Sequence, residues 1–278
     1  MKPFALTTAL QNVRATTPLV HCITNYVTVN DCANALLACG GSPIMSDEPT
    51  DVFDITSICG GLVLNIGTLN ERTIEGMLVA GARASELGHP IVLDPVGAGA
   101  SALRTETAAK LLDTCKVSVI RANMSEVKAL VGASSTTRGV DVNPDDVVTP
   151  ENLAQSAQYA KQLASTTGAI VAITGAIDIV ADADRAFAIY NGSPIMGRIT
   201  GAGCMLTCVV AAYAVANPDN MLDAVVAAIA GHGVCGQIAA KRMTPADGNG
   251  SFRTYLLDAL YNLDAETLDT MAKVEQVD

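Results

Sequence analysis

The sequence predicts an α/β fold of three layers, with helices on both faces of a mostly parallel central sheet and an antiparallel hairpin at one edge. Three observations predict it. Short apolar runs alternate with segments of helix length along residues 19–174. The runs are continuous rather than alternating, as strands covered on both faces are. After residue 174 the pattern changes to "IDIVAD" and "RAFAIY" around an acidic turn, which reads as an edge hairpin.

The strands come in order as "LVHCIT" (19–24), "GSPIMS" (41–46), "GLVLNIG" (61–67), "PIVLDPV" (90–96), "VSVIRAN" (117–123) and "AIVAIT" (169–174). Their β-branched content and their Gly, Pro, Asp and Asn borders favour strand over helix. The helices between them are "VTVNDCANALLACG", "NERTIEGMLVAGARASELG", "ASALRTETAAKLLDTC" and "PENLAQSAQYAKQLASTTG". Three further helices are expected at roughly 203–216, 220–242 and 249–263. Residues 132–146, polar and rich in turn formers, predict a loop, and the acidic tail from Asp264 predicts a short helix or a frayed end. No repeat or linker divides the chain, so residues 1–278 form one domain.

Composition narrows the function. Half of the residues are hydrophobic and 16% are charged, enough for a large core and against disorder. The 17 Lys and Arg are outnumbered by 28 Asp and Glu, a net charge of -11 that argues against nucleic acid as a partner. An anionic ligand must then be held by local donors, a metal, or both. The eight cysteines are scattered in apolar runs without a C-x-x-C pair, and the three histidines show no zinc spacing. With no signal-peptide core and no uninterrupted apolar run of membrane length, a cytoplasmic protein with reduced thiols is expected.

Ligands of open α/β sheets sit beyond the carboxyl ends of the strands. "TGAGC", Thr200 to Cys204, opens an apolar helix there. Its glycines leave backbone N–H groups unobstructed at a helix N-terminus, so Gly201, Ala202 and Gly203 suit an anion hole for a transferring phosphoryl group; a tight strand-to-helix turn is the plainer reading. Neither a P-loop nor a G-x-G-x-x-G dinucleotide fingerprint is present. Asp94, at a strand end in "VLDPVGAGAS", suits magnesium or a turn cap. In "RANMSEVKAL", Glu126 suits the same metal or the dipole of the helix it opens, with Asn123 or Ser125 as the cap. In residues 21–51, Asn25, Val27 and Met45 suit a small, flat, weakly polar substrate, and ordinary core packing is the alternative for Val27 and Met45. His21 reads as a structural histidine, and the other seven cysteines as small core hydrophobes.

In order and spacing, "HCITNYVTVNDCANALLACGGSPIMSDEPTD", "LVLNIGTL", "VLDPVGAGAS", "IRANMSEVKAL", "ITGAGCML" and "GHG" resemble the hydroxyethylthiazole kinases of thiamine salvage, over about residues 5–263. The resemblance implies a ribokinase-like fold. It implies ATP- and magnesium-dependent phosphorylation of the primary alcohol of 4-methyl-5-(2-hydroxyethyl)thiazole, by a homotrimer with sites near subunit boundaries. Carried over by residue, it makes Met45, Asn25, Val27 and Gly201 thiazole contacts, Arg121 and Thr174 ATP contacts, and Asp94 and Glu126 the magnesium region. Cys204 falls beside the reacting hydroxyl, where ribokinase relatives usually carry an aspartate. Two rivals stand beside this reading: a hydroxymethylpyrimidine kinase of the same superfamily, and a non-catalytic nucleotide-binding regulator. An NAD-linked oxidoreductase is disfavoured by the missing fingerprint.

Overall fold

The computed structural model describes residues 6–134 and 146–277. One nine-stranded sheet runs through it, in the order β2-β1-β3-β4-β5-β6-β7-β8-β9. The first six strands are Leu19–Ile23 (β1), Ser42–Met45 (β2), Gly61–Asn65 (β3), Ile91–Asp94 (β4), Val119–Ala122 (β5) and Ile170–Ile173 (β6), all parallel. Asp178–Ala181 (β7), Ala186–Ile189 (β8) and Val274–Val277 (β9) continue the sheet antiparallel.

The helices are Leu6–Thr16 (α1), Val29–Cys39 (α2), Val52–Ile58 (α3), Glu71–Leu87 (α4), Ala102–Thr114 (α5), Met124–Ser134 (α6), Leu153–Thr167 (α7), Ala202–Ala216 (α8), Met221–Arg242 (α9), Asn249–Asn262 (α10) and Ala265–Met271 (α11). Asn70 caps α4 by accepting from Thr73 N, and Ser101 caps α5 by accepting from Arg104 N. Gly40, Gly88 and Gly168 close α2, α4 and α7 in the left-handed conformation that only glycine adopts without strain.

Strand residues divide by parity. Val20, Cys22, Val63, Val92 and Val119 face a core built with α1, α2, α8, α9 and α10. Leu62, Leu64, Ile91, Leu93 and Ile120 face a second core built with α4, α5, α6 and α7. The first core mixes small Ala, Val and Cys side chains, which dominate α8 and α9, with larger ones such as Tyr213 and Phe252. Helix α9, with its lead-in from Pro218, is long and apolar enough to cross a membrane, yet it is mostly buried inside the protein as a core helix.

Of the two readings of the tail, the short helix holds: α11 starts with Asp264 accepting from Thr267 N, and β9, which was not expected, then pairs along β8. The antiparallel edge therefore has three strands instead of a two-stranded hairpin, which covers the unpaired groups that β8 would otherwise present. The predicted loop begins later than residue 132, since α6 extends to Ser134, and residues 135–145 lie outside the described residues. Helices α1 and α3 were not predicted.

Candidate active site

The strand order reverses at β1, whose neighbours β2 and β3 are reached by connections leading to opposite sides. Such a switch point opens a crevice beyond the strand ends. Asn25 follows β1 and Asn65 ends β3 beside it, and Asp94 ends β4, paired in register with Asn65. Helix α8 lies across these strands with its N-terminus at the crevice. Gly201 caps it with φ of 86°, and a Cβ there would come within 2.6 Å of Thr28. A Cβ on Gly203 would run into the Arg121 guanidinium. Both glycines are needed for close approach.

Cys204 Sγ receives two amide donors, Asn25 Nδ2 and Asn65 Nδ2, each at 3.3 Å. Neither amide is free to turn. Thr28 donates from N (3.1 Å) and Oγ1 (3.0 Å) to Asn25 Oδ1. Gly67 N and Asn25 Nδ2 donate to Asn65 Oδ1, at 3.0 and 3.1 Å. The donor ends of both amides must therefore face the thiol. Burial and the nearby charge of Asp94 push the Cys204 thiol up, and the bonds from Asn65 and Thr28 oppose this without reversing it. Cys204 is a protonated thiol at neutral pH.

Asp94 is fully buried. It accepts from Asn65 Nδ2 (2.8 Å), Thr207 Oγ1 (2.7 Å) and Arg121 Nη1 (3.1 and 3.2 Å). Arg121 also donates from Nη2 to Thr174 Oγ1 at 2.8 Å. Burial works against its charge, but Asp94 first and then Glu126 outweigh that, so it stays firmly cationic. A continuous polar chain thus runs from Asn25 and Cys204 through Asn65 and Asp94 to Arg121 and Thr174.

Beyond Arg121 lies a cavity of about 550 Å³. It is bounded by Thr174 and Gly175, by Ala202 and Gly203 at the start of α8, and by His232 and Gly233 of α9. Its far side is apolar, with Tyr190, Pro194, Met196 and Ile229. That shape suits a flat base joined to a polyphosphate. Asp178 also lines it; burial raises its carboxyl to about 7, against the Gly175 N–H and Arg121.

Glu126 forms a capping box: Asn123 N donates to Oε2 (2.8 Å) and Glu126 N donates to Asn123 Oδ1 (2.9 Å). Gly97 N donates to Oε1 at 2.8 Å. Asn123 is therefore the cap of α6, while Ser125 bonds Asp146. Both carboxylates face Arg121 electrostatically, but their oxygens are already engaged. Among the described residues no group of three or more His, Cys, Asp or Glu converges on a point. The donor set fits a hard cation carried in by phosphate and reached through water, and does not fit an ion caged by side chains alone.

The structure brings Asn25, Cys204, Asp94, Arg121, Thr174 and residues 201–203 together. Met45 is half-buried at the end of β2, an edge strand. Val27 is 57% exposed and Tyr26 beside it 77%, so Val27 does not pack in this chain's core. His21 is the structural histidine expected, with Thr56 Oγ1 and Ser46 O each 2.9 Å from its ring nitrogens. Sequence reasoning gave no role to Asn65, Thr207 or His232, although Asn65 and His232 lie in the "LVLNIGTL" and "GHG" segments of the resemblance. Asn65 carried a usable signal, a polar residue closing a strand that is otherwise wholly apolar.

Residues 10–266 match a model of the hydroxyethylthiazole kinase family. A hydroxyethylthiazole kinase of Clostridium acetobutylicum is 53% identical, over 96% of this chain and 97% of the relative. One from Desulfovibrio desulfuricans is 48% identical over the same shares. Among solved structures, hydroxyethylthiazole kinase from Pyrococcus horikoshii superposes with a TM-score of 0.88 at 36% identity, covering 98% of this chain and 99% of its own. A ribokinase-like superfamily protein from Enterococcus faecalis, 12% identical with a TM-score of 0.58 over 91% of this chain and 89% of its own, shares the fold.

Proposed function

The chain belongs to the hydroxyethylthiazole kinase family, and from that premise we propose how its own residues carry the reaction. The activity is phosphorylation of the hydroxyethylthiazole alcohol in thiamine metabolism, with ATP as co-substrate. The observation that carries the residue assignment is the polar chain from Cys204 to Arg121, which joins a small crevice to a base-and-phosphate cavity.

The thiazole lies between Asn25, Val27 and Met45, with its hydroxyl at Cys204 Sγ and its chain over Gly201. ATP fills the cavity beyond Arg121, with Arg121 and Thr174 at its phosphates. The hydroxyl oxygen bonds to the γ-phosphorus as the bond from that phosphorus to the β,γ-bridging oxygen breaks; ADP leaves with the electron pair. Backbone N–H groups of Ala202, Gly203 and Cys204 and the Arg121 guanidinium face the charge on the transferring group. A loose transition state needs positioning and charge neutralisation more than a strong base. Cys204, protonated at rest, orients the hydroxyl as a thiol; only its minor thiolate form is a base, so its part in proton removal is modest and the hydroxyl proton otherwise leaves on an oxygen of the transferred phosphoryl group.

Magnesium, when bound with the nucleotide, neutralises phosphate charge; Asp94 and Glu126 would reach it through water. Asp94 also anchors Arg121, and Glu126 fixes the turn at Gly97. A homotrimer is supported by the exposed Tyr26 and Val27 next to the edge strand β2, since a subunit boundary there would cover them and complete the thiazole site. Cytoplasmic location accords with eight free thiols.

The test is ADP release from ATP and magnesium, with hydroxyethylthiazole, with hydroxymethylpyrimidine, or with neither. Release dependent on the thiazole alone is expected. Release with the pyrimidine alone would reassign the substrate, and tight ATP binding without release would make the protein a regulator.

A further inference from the structure

The protein buries two histidines in comparable depth, and they differ in one respect. His21 has a partner on each ring nitrogen. His232, 2% exposed, has none on Nδ1 or Nε2. Arg121 Nε is likewise buried without a partner, and both residues line the nucleotide cavity. Buried donors left open cost free energy unless something else satisfies them.

The position of His232 is enforced. It sits between Gly231 and Gly233 on α9, and a Cβ on Gly233 would strike the backbone of Asn191 at 2.8 Å. Small neighbours let α9 close against Asn191, which turns the imidazole to the cavity. Burial and the Arg121 charge lower the imidazole to about 4; the nearby Ala202 backbone opposes this but makes no well-formed hydrogen bond with the ring. The ring is therefore neutral, with one N–H to donate. The Arg121 guanidinium and the backbone N–H groups that open α8 offer donors; the Ala202 backbone and the Asp178 carboxyl on the same cavity wall are acceptors, but neither bonds the ring. A ligand rich in acceptor oxygens satisfies the donors all together, whereas the apolar far side of the cavity suits a base.

We infer that His232 is a nucleotide-positioning residue whose imidazole donates an N–H to a phosphate oxygen of bound ATP or ADP, beside Arg121. This rests on the cavity being the nucleotide site.

The experiment is calorimetric titration of ADP and of adenosine into wild type, His232→Leu and His232→Gln, together with thermal melts of each protein without ligand. Leu should weaken ADP binding about tenfold, leave adenosine binding unchanged, and hold or raise the ligand-free Tm, because an unpartnered polar group has been replaced by an apolar one. Gln, which keeps a donor, should recover part of the loss. A merely structural histidine would lower Tm and leave ADP affinity alone, which overturns the inference, as would an equal loss for adenosine. Should the Leu variant not fold, the ring-nitrogen resonance of His232 in wild type decides: it shifts with ADP and not with thiazole, and a resonance unmoved at saturating ADP overturns the inference. Wild type that binds no ADP at all would instead sink the kinase reading itself.

Discussion

The two ends of the site are built differently. At the thiol end, Asn25, Asn65, Thr207 and Asp94 form a network in which each amide carbonyl, amide donor and carboxylate oxygen has a partner within the protein. At the nucleotide end, Arg121 Nε and both ring nitrogens of His232 are buried without one. A closed network fixes geometry, and open donors await charge. The difference teaches that this protein holds its small alcohol by preorganised shape and leaves its electrostatic capacity for the phosphates, which suits a reaction that depends more on neutralisation than on proton removal.

The sharpest way to break the comparison is at Arg121, which belongs to both ends. Arg121→Ala removes a donor from the nucleotide and leaves Asp94 buried and unpaired. A loss of about 10³-fold or more in kcat is expected, with a stability cost of about 3–5 kcal/mol. Steady-state kinetics and urea denaturation read the two separately. A loss in stability alone would confine Arg121 to the fold.

Asn65→Leu tests the closed end. It removes the donor shared by Asp94 and Cys204 and the acceptor for Gly67 N. Stability should fall by about 1–3 kcal/mol, with the KM for the alcohol rising and ADP affinity little changed. Equal weakening of both ligands would mean that the two ends are not separable.

Asp178→Asn should have the smallest effect, visible only as a pH dependence. Burial holds the carboxyl at about 7, above an unfolded value of about 3.9. The unfolded chain therefore ionises first as pH rises, and wild type loses stability between about pH 4 and 7. Asn keeps the acceptor for Gly175 N and has no charge to lose. The variant should be more stable than wild type by about 1–2 kcal/mol at pH 8, after discounting the partial exposure of Asp178, with the gap closing near pH 4. Denaturation at the two pH values checks this.

The same contrast governs what the sequence made legible. Strands β1 and β3 to β6 are covered on both faces and read as continuous apolar runs; with the half-buried edge strand β2, their ends were readable to within a residue or two. Strand β9, "VEQV", is a four-residue edge strand, and nothing in so short an alternation separates it from a tail; only the open edge of β8 explains it. Helix α3, at seven residues, is too short to show a period. Within the site, Asp94, Arg121 and residues 201–204 announced themselves by type and place. Asn65 stood at a strand end, where it could have been found. His232 stood in the "GHG" segment, but an apolar helix around it gave no sign of a role, and what sets it apart is the lack of a partner in three dimensions.

The most direct test compares kcat for Cys204→Ala and Arg121→Ala under saturating ATP, magnesium and hydroxyethylthiazole, with folding verified for each. Positioning by the thiol and neutralisation by the guanidinium predict a loss of about 10–10²-fold for Cys204→Ala, at least tenfold smaller than the loss for Arg121→Ala. A Cys204→Ala enzyme as inactive as Arg121→Ala would contradict that ranking and make proton removal by the Cys204 thiolate the limiting event.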